Sequence, residues 1–357
     1  MAVYKIFPTA DATLYSASPT QNTGLDEILE VSVKNSALSV TTTDDIRRAV
    51  VKFSSNDLAT IKNFTTGSWN ANLRLYLANA ENLTTTYNLY IYQMSQSWDM
   101  GTGKYGDNPV TTNGACWYTN TAYVSGSSNW TNSQYYITPG GGSLSSLFCS
   151  QSFDYKANKD INANVTTIVD SWFSGSAQNY GFLLKHSSSI ENSSGSYIGL
   201  SFFSLDTHTI YPPSLDMKWD DSSYNTGSLS VINNTNYVVT IANNPGTFKA
   251  DTNKYNFRVN VRDKYPTRVF TTSSLYTTNK ALPQTSYWSL QDLKTEEVIF
   301  DFDTNYTKIS CDSNGSYFSM YMNGLEPERY YRILIRTDLP TGESVDVDNN
   351  IIFKVIR

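Results

Sequence analysis

The sequence predicts an all-β protein built from two β-sandwich domains, and three observations carry that expectation. Charged residues make up only 16% of the 357 residues, against roughly a quarter in an average globular chain, so Ser, Thr, Asn, Gln and Tyr must cover much of the surface. Thr and Tyr favour pleated strands, while Ser and Asn favour turns. Short runs rich in β-branched and aromatic residues also alternate with Gly, Asn, Pro and Ser from end to end. Finally, hydrophobics at 39% and aromatics at 14% suffice for real cores, and a chain of this length is comfortable as two domains.

The elements follow in chain order. Residues 72–77 alternate cleanly, with Leu73, Leu75 and Leu77 on one face and Arg74 and Tyr76 on the other. Residues 87–94 alternate in the same way. Turn-rich breaks stand at 19–24, 101–109 and 139–142. One segment reads as a helix: Val165, Ile168, Val169 and Trp172 recur at helical spacing, with Asn164 as N-cap and Gly175 just past the end. A single amphipathic helix over one end of a sandwich is expected, with Trp172 in the core. At 196–203, Tyr197, Ile198, Leu200, Phe202 and Phe203 predict a strand buried on both faces.

The first strand series closes at 214–219. A polar stretch without apolar period follows, placing a boundary near residue 223 and domains at 1–222 and 223–357. Beyond it, seven runs read as strands: 229–232, 237–241, 255–262, 298–302, 317–322, 330–336 and 351–356. Seven strands in about 135 residues fit one sandwich of immunoglobulin-like size. No repeat of 20–50 residues is present, which disfavours solenoids and propellers.

Composition also limits the partners. With 26 basic and 32 acidic residues the formal charge is −6, so the chain lacks the basic face that neutralises phosphates, and nucleic acid is not an expected partner. No run of about 18 apolar residues occurs, so no membrane span is expected. The N-terminal stretch has no apolar core of a secretion signal. Three cysteines, Cys116, Cys149 and Cys311, cannot make a disulfide framework. Their odd number points to reduced thiols, with a Cys116–Cys149 bridge as the alternative.

Chemistry-bearing patterns are sparse. His186 and His208 are the only histidines, and general acid–base catalysis, Ser/His triads and most zinc sites need histidine in defined company. Both read as surface or internally satisfied side chains. Gly101-Thr102-Gly103-Lys104 lacks the first glycine of a phosphate loop, and Tyr105 stands where Ser or Thr would hold magnesium. Asp301-x-Asp303-x-Asn305 has the spacing of half a calcium loop, but Tyr306 replaces the turn glycine, and its flanks at 298–302 and 308–311 read as strands. Asp11, Asn22 and Asp26 are an alternative oxygen cage for calcium. No cofactor or metal is expected. Aromatics remain: Trp98, Trp117 and Trp130 fall in loop-rich sequence and are the candidates for stacking on a glycan, with core packing as the competing reading.

Two resemblances add a context. PTADATLY at 8–15, NTG at 22–24, RAVVKF at 48–53, NLRLY at 72–76, Trp98 with Trp117, VDSW at 169–172, NYGFLLK at 179–185, FFS at 202–204 and PPSL at 212–215 resemble the DNRLRE-type module. That β-sandwich family occurs in surface and carbohydrate-associated proteins, and the resemblance implies a jelly-roll-like N-terminal domain. VRDKYPTR at 261–268, NKALP at 279–283, DFD at 301–303 with Thr307 and Lys308, and GLEPERYY at 324–331 resemble a domain of structural proteins from contractile-tailed bacteriophages of marine type. The opening residues 1–7 and NTGLDEILE at 22–30 resemble such virion proteins as well.

Together these imply a non-enzymatic virion structural protein, in the tail or neck, made in the host cytoplasm and assembled in many copies. Such a role predicts homo-oligomer contacts and contacts to other virion proteins. Arg268, Arg329, Tyr330 and Tyr331 are the interface candidates, with an internal salt bridge or core position as the alternative. A carbohydrate- or host-receptor-binding module is the second reading. A glycan-cleaving enzyme, which needs two carboxylates across a cleft, is the third.

Overall fold

The structure, a computed structural model, describes residues 2–34, 45–65, 67–83, 86–123, 128–131, 137–154, 156, 160–193, 197–267 and 278–357. Strand makes up 46% and helix 8%, so the chain is all-β as the sequence predicts. The first part holds β1 (Ala2–Ile6), β2 (Pro8–Tyr15), β3 (Ile28–Lys34), β4 (Asp45–Phe53), α1 (Ser55–Lys62), β5 (Trp69–Leu75), β6 (Leu77–Glu81), β7 (Tyr87–Gln93), β8 (Phe148–Phe153), β9 (Ile161–Asn164), α2 (Thr166–Ser174), β10 (Phe182–His186), α3 (Ser188–Glu191), β11 (Tyr197–Phe203) and β12 (Ser214–Trp219). The second holds β13 (Tyr237–Ile241), β14 (Thr247–Lys249), β15 (Lys254–Asp263), β16 (Ser286–Asp292), β17 (Val298–Phe300), β18 (Ser310–Asp312), β19 (Gly315–Tyr321), β20 (Arg329–Asp338) and β21 (Ser344–Ile356).

The chain divides into two compact units. The N-terminal unit comprises Ile6–Phe64 and Asn70–Asp216; the C-terminal unit comprises Met1–Lys5, Thr65–Trp69 and Met217–Arg357. The sequence reading divides the chain a few residues later, after 222, and assigns no early segment to the C-terminal unit. The early segment belongs there because Val3 lies in that unit's core and the Tyr4 ring meets Tyr321 edge-on at 5.5 Å.

In the N-terminal unit, β6, β11, β3, β4, β10, β7 and β8 stand in that order in one large sheet, and β2 also pairs with β4. Strand β4 is central because Ala49, Val50, Val51 and Phe53 are all buried, a β-branched run suited to a strand covered on both faces. Strands β5 and β9 pair antiparallel outside the large sheet, Leu73 opposite Ala163. The alternation of 72–77 does not run to its end. After Leu75 the chain changes sheet, so Tyr76 is buried against Tyr211 at 5.0 Å and Leu77 opens β6 only partly covered.

The helix falls where its spacing predicts, with one correction at the start. Val165 is its N-cap residue, while the Asn164 side chain accepts the Thr166 N–H at 3.0 Å. Gly175 takes a left-handed φ of 76° and closes the helix. Trp172 is half-buried and packs on Phe182 at 5.0 Å. Helix α1 is an addition the periodicity does not show: Ser54 accepts the Asp57 N–H, and only Leu58 and Ile61 turn inward. In β11, Tyr197 is exposed and Ser201 and Phe203 are half-buried, so full burial holds only at Ile198, Gly199, Leu200 and Phe202.

The C-terminal unit is a sandwich. Strands β13-β15-β19-β18 form one sheet and β14-β21-β20-β16-β17 the other. Phe257 and Phe318 of the first stack at 5.2 Å, and Trp288 and Phe353 of the second pack on them at 5.2 and 5.8 Å. Side chains of both sheets thus interdigitate in one core. The run at 229–232 is no strand; Val231 makes a single bridge to Ala281. Strands β14 and β16 occur where the sequence reading places none.

Candidate functional site

Between β7 and β8 the N-terminal unit carries a long connection that holds no regular strand among its described residues. Met94, Trp98, Ala115 and Trp130 from it bury against Ala12, Leu14, Val50 and Leu183 of the large sheet. The indole N–H of Trp98 donates to the Tyr180 carbonyl at 2.8 Å, and that of Trp130 to the Cys116 carbonyl at 2.8 Å. A ring at 3% exposure (Trp98) or 0% (Trp130) offers no face to a sugar. These two glycan-stacking candidates are therefore corrected to core residues, drawn in by the apolar sheet face and a backbone partner for each N–H. Trp117 is half-buried, with the Arg48 guanidinium 5.0 Å from its ring centre.

Asn22 fixes the connection in place. Its amide group donates to the carbonyls of Met100 at 2.7 Å and Ala115 at 2.9 Å, and its oxygen accepts the Gly103 N–H at 2.8 Å. Glycine is required around it: a Cβ on Gly101 or Gly114 would stand 2.3 or 2.6 Å from the Asn22 side chain. The Asn22 oxygen accepts the Gly24 N–H as well, at 3.3 Å, so both its lone pairs are taken by backbone. Asp11 accepts the Leu205 N–H at 2.6 Å and Asp26 the Tyr105 N–H at 3.0 Å, so the three serve as backbone ties rather than a cage. Burial raises the Asp11 pKa to about 7, against the opposing hydrogen bond from Leu205. Asp303 likewise caps a turn, its Oδ1 accepting the N–H groups of Asn305 and Tyr306 at 2.7 and 3.1 Å. All three cysteines are free thiols.

The histidines separate. His186 is 1% exposed, with Nε2 3.3 Å from the Val31 carbonyl, and burial pulls its pKa down to about 4. Beside it, buried Glu191 binds Arg48 at 2.8 Å and Lys185 at 2.7 Å. His208 is exposed and lies 3.7 Å from Glu27.

Glu27 borders the cleft that the sequence reading missed. Tyr15, Asp26, Glu27, Glu30, Lys104 and Tyr105 line a hollow of about 350 Å³, with Ile28 and Arg47. Pairing of β2 and β3 with β4 places Tyr15, Glu30 and Arg47 together, and the Leu25 N–H bond to the Gly103 carbonyl at 2.9 Å brings in Lys104 and Tyr105. Tyr15 donates to Glu30 at 2.7 Å, and Arg47 binds Glu30 and Asp45, each at 2.6 Å. The Tyr105 ring lies 4.7 Å from that of Tyr15 and remains 55% exposed. Burial raises the Asp26 pKa, opposed by the Tyr105 N–H and Lys104. The turn signal at 101–109 marks this loop in the sequence, but nothing local marks Tyr15 as its partner.

In the C-terminal unit, Tyr331 is 2% exposed and donates to the Glu326 carbonyl at 2.9 Å. It is a core residue, because inward positions of β20 alternate through it, and it is corrected as an interface candidate. Arg329 binds Asp292 through Nε at 2.7 Å and a terminal nitrogen at 2.6 Å, the internal salt bridge named as the alternative. Tyr330 points outward at 53% exposure. Arg268 lies outside the described residues.

The exposed apolar side chains have a marked distribution. Among the described residues, Tyr105, Val110, Tyr118, Tyr123, Ile137, Leu144 and Phe148 are seven of the eleven large hydrophobics left exposed. All seven lie within residues 105–148 of the N-terminal unit. No protein-family model matches this chain, and no curated protein shows significant sequence similarity to it.

Proposed function

We propose that the chain is a non-enzymatic structural protein of a tailed-phage particle, a tail or neck component that works by contact with other virion proteins and with its own copies. The virus context comes from the sequence resemblances, which also imply a jelly-roll-like N-terminal module, while the strand count supports an immunoglobulin-like C-terminal one. The observation that carries the contact role is the concentration of exposed apolar side chains in 105–148. Scattered exposed hydrophobics are ordinary, but apolar rings gathered at the surface mark faces that bind other proteins, and the exposed Phe148 ring meets the half-buried rings of Tyr90 and Tyr92 at 5.9 and 5.1 Å. Asn22 ties the start of this connection at Met100, Gly103 and Ala115, so that part loses little conformational entropy when a partner covers it. The carboxyl groups support the same reading. Glu191, Asp292, Asp303 and Asp11 are spent on holding the fold, and Tyr330 adds an outward ring on the second unit.

The test is mass measurement in solution together with localisation in purified particles. The expected result is a discrete oligomer, or incorporation into particles, that Phe148→Asp with Ile137→Asp abolishes without lowering the melting temperature. A protein that stays monomeric and is absent from particles would overturn the proposal.

A further inference from the structure

We propose that the cleft of Tyr15, Asp26, Glu27, Glu30, Lys104 and Tyr105 binds an uncharged pyranose ring of a saccharide. This stands on the cleft alone and holds whether or not the chain belongs to a virion.

The site has an apolar floor and a polar rim. Tyr105 rests against Tyr15 at 4.7 Å with the two rings tilted by 32°, and it stays 55% exposed, so the ring is supported by Tyr15 while more than half of the residue meets solvent. An aromatic face carries partial negative charge and attracts the slightly positive C–H edge that one side of a pyranose presents. Around it stand groups that pair with hydroxyls. The Glu27 side chain is 49% exposed, Lys104 52% and His208 89%, with Lys104 3.8 Å and His208 3.7 Å from Glu27. A sugar hydroxyl donates to the carboxylate and accepts from the ammonium, the paired role that vicinal hydroxyls fill.

The rim is preorganised. The Tyr105 N–H is held by both oxygens of Asp26 at 3.0 and 3.2 Å. The Lys104 N–H donates to Asp107 at 2.9 Å, and its carbonyl accepts from Gln21 at 3.0 Å. The floor therefore loses little freedom on binding. A volume of about 350 Å³ sits at the small end of ligand pockets, room for one or two rings.

Charge decides the class of sugar. Asp26, Glu27 and Glu30 line the cleft, and Asp206 lies close enough to act on the same groups electrostatically. Of the two cations, Arg47 is already taken by Glu30 and Asp45. A uronate, sialate or phosphosugar would meet net negative charge there, whereas a neutral ring would not.

Saturation-transfer NMR on the intact chain tests this with maltotriose, cellotriose and diacetylchitobiose as neutral probes and trigalacturonate as the anionic one. At least one neutral probe is expected to bind, with trigalacturonate at least tenfold weaker. Tyr105→Ala should reduce the affinity at least tenfold, while Tyr105→Phe holds it within threefold and Tyr330→Ala leaves it unchanged. Melting curves of Tyr105→Ala should match the parent, since the ring is exposed. The proposal fails if no neutral probe binds, if binding survives Tyr105→Ala, or if trigalacturonate binds equally well. A lysine-rich peptide that binds the cleft while every sugar fails would assign it to protein docking instead.

Discussion

Arg48 and Glu191 meet in a two-point ion pair, Nε to Oε1 at 3.0 Å and a terminal nitrogen to Oε2 at 2.8 Å, joining β4 to the short helix α3. Lys185 shares the same carboxylate at 2.7 Å, and the Lys185 and Glu191 side chains are only 3% and 4% exposed. One buried anion thus answers two cations. Burial, aided by Arg48, holds the Lys185 pKa below its ordinary value. Removing the anion leaves both cations desolvated, and breaking a buried pair in this way costs about 3–5 kcal/mol. Glu191→Ala should lower the urea midpoint of the N-terminal unit accordingly, and a loss under about 1 kcal/mol would reassign the cluster as solvated.

Asn22 makes a second prediction. Asn22→Ala removes the acceptor of Gly103 N–H and the donor to the Met100 and Ala115 carbonyls. Buried groups left unpaired cost about 1–3 kcal/mol each. The loss should be local: hydrogen exchange at Gly103 and Ala115 should accelerate far more than at Val50 or Leu183 in the sheet. Uniform acceleration would contradict the picture of a tied-down connection.

Legibility in the sequence follows the same division between sheet and connection. β7 announces itself because its burial alternates residue by residue, and period 2 is a local signal. β16 does not, since Ser286, Ser289 and Asp292 are all buried in it. Their polarity hides the strand, and only tertiary partners such as the Phe300 carbonyl, 2.8 Å from the Ser289 hydroxyl, make that burial tolerable. Trp98 and Trp130 mislead for the reverse reason: loop-like neighbours suggest exposure, whereas a distant sheet face covers them. The cleft was half legible. Its loop carries turn residues, but the ring contact of Tyr105 with Tyr15 spans 90 residues of chain and leaves no local mark.

Stability should fall with rising pH through two carboxyls. Burial raises Asp11 from 3.8 to about 7 and Glu326 from 4.5 to about 7, the latter against the pull of Arg329 and Lys5. A folded-state pKa above the unfolded value means the folded form binds more protons in between. The contribution is therefore complete below about pH 4 and is lost as the pH rises toward 7. Asp11→Asn, whose side-chain oxygen still accepts the Leu205 N–H, should match the parent near pH 4 and exceed it at pH 8 by on the order of a few kcal/mol. Glu326→Gln should do the same for the C-terminal unit. Urea titrations at the two pH values read the difference, and parallel curves for parent and variants would remove both groups from the account.

Adjacent residues on β20 supply the sharpest contrast between packing and contact. Tyr331 faces the core, its ring 5.6 Å from Phe353 and its hydroxyl on the Glu326 carbonyl at 2.9 Å. Tyr330 faces outward beside Lys354, whose ammonium lies 5.7 Å from the ring centre. Tyr331→Phe should cost about 1 kcal/mol for the hydrogen bond, and Tyr331→Ala about 3–5 kcal/mol for the cavity. Tyr330→Ala should stay within about 0.5 kcal/mol of the parent. If the exposed ring serves an interface, that same substitution should weaken assembly while leaving the melt unchanged, a separation of effects that no core position produces. Thermal melts and oligomer mass, measured on the same three variants, decide it: a Tyr330→Ala protein that assembles as the parent does would strike this ring from the contact surface and leave residues 105–148 to carry it.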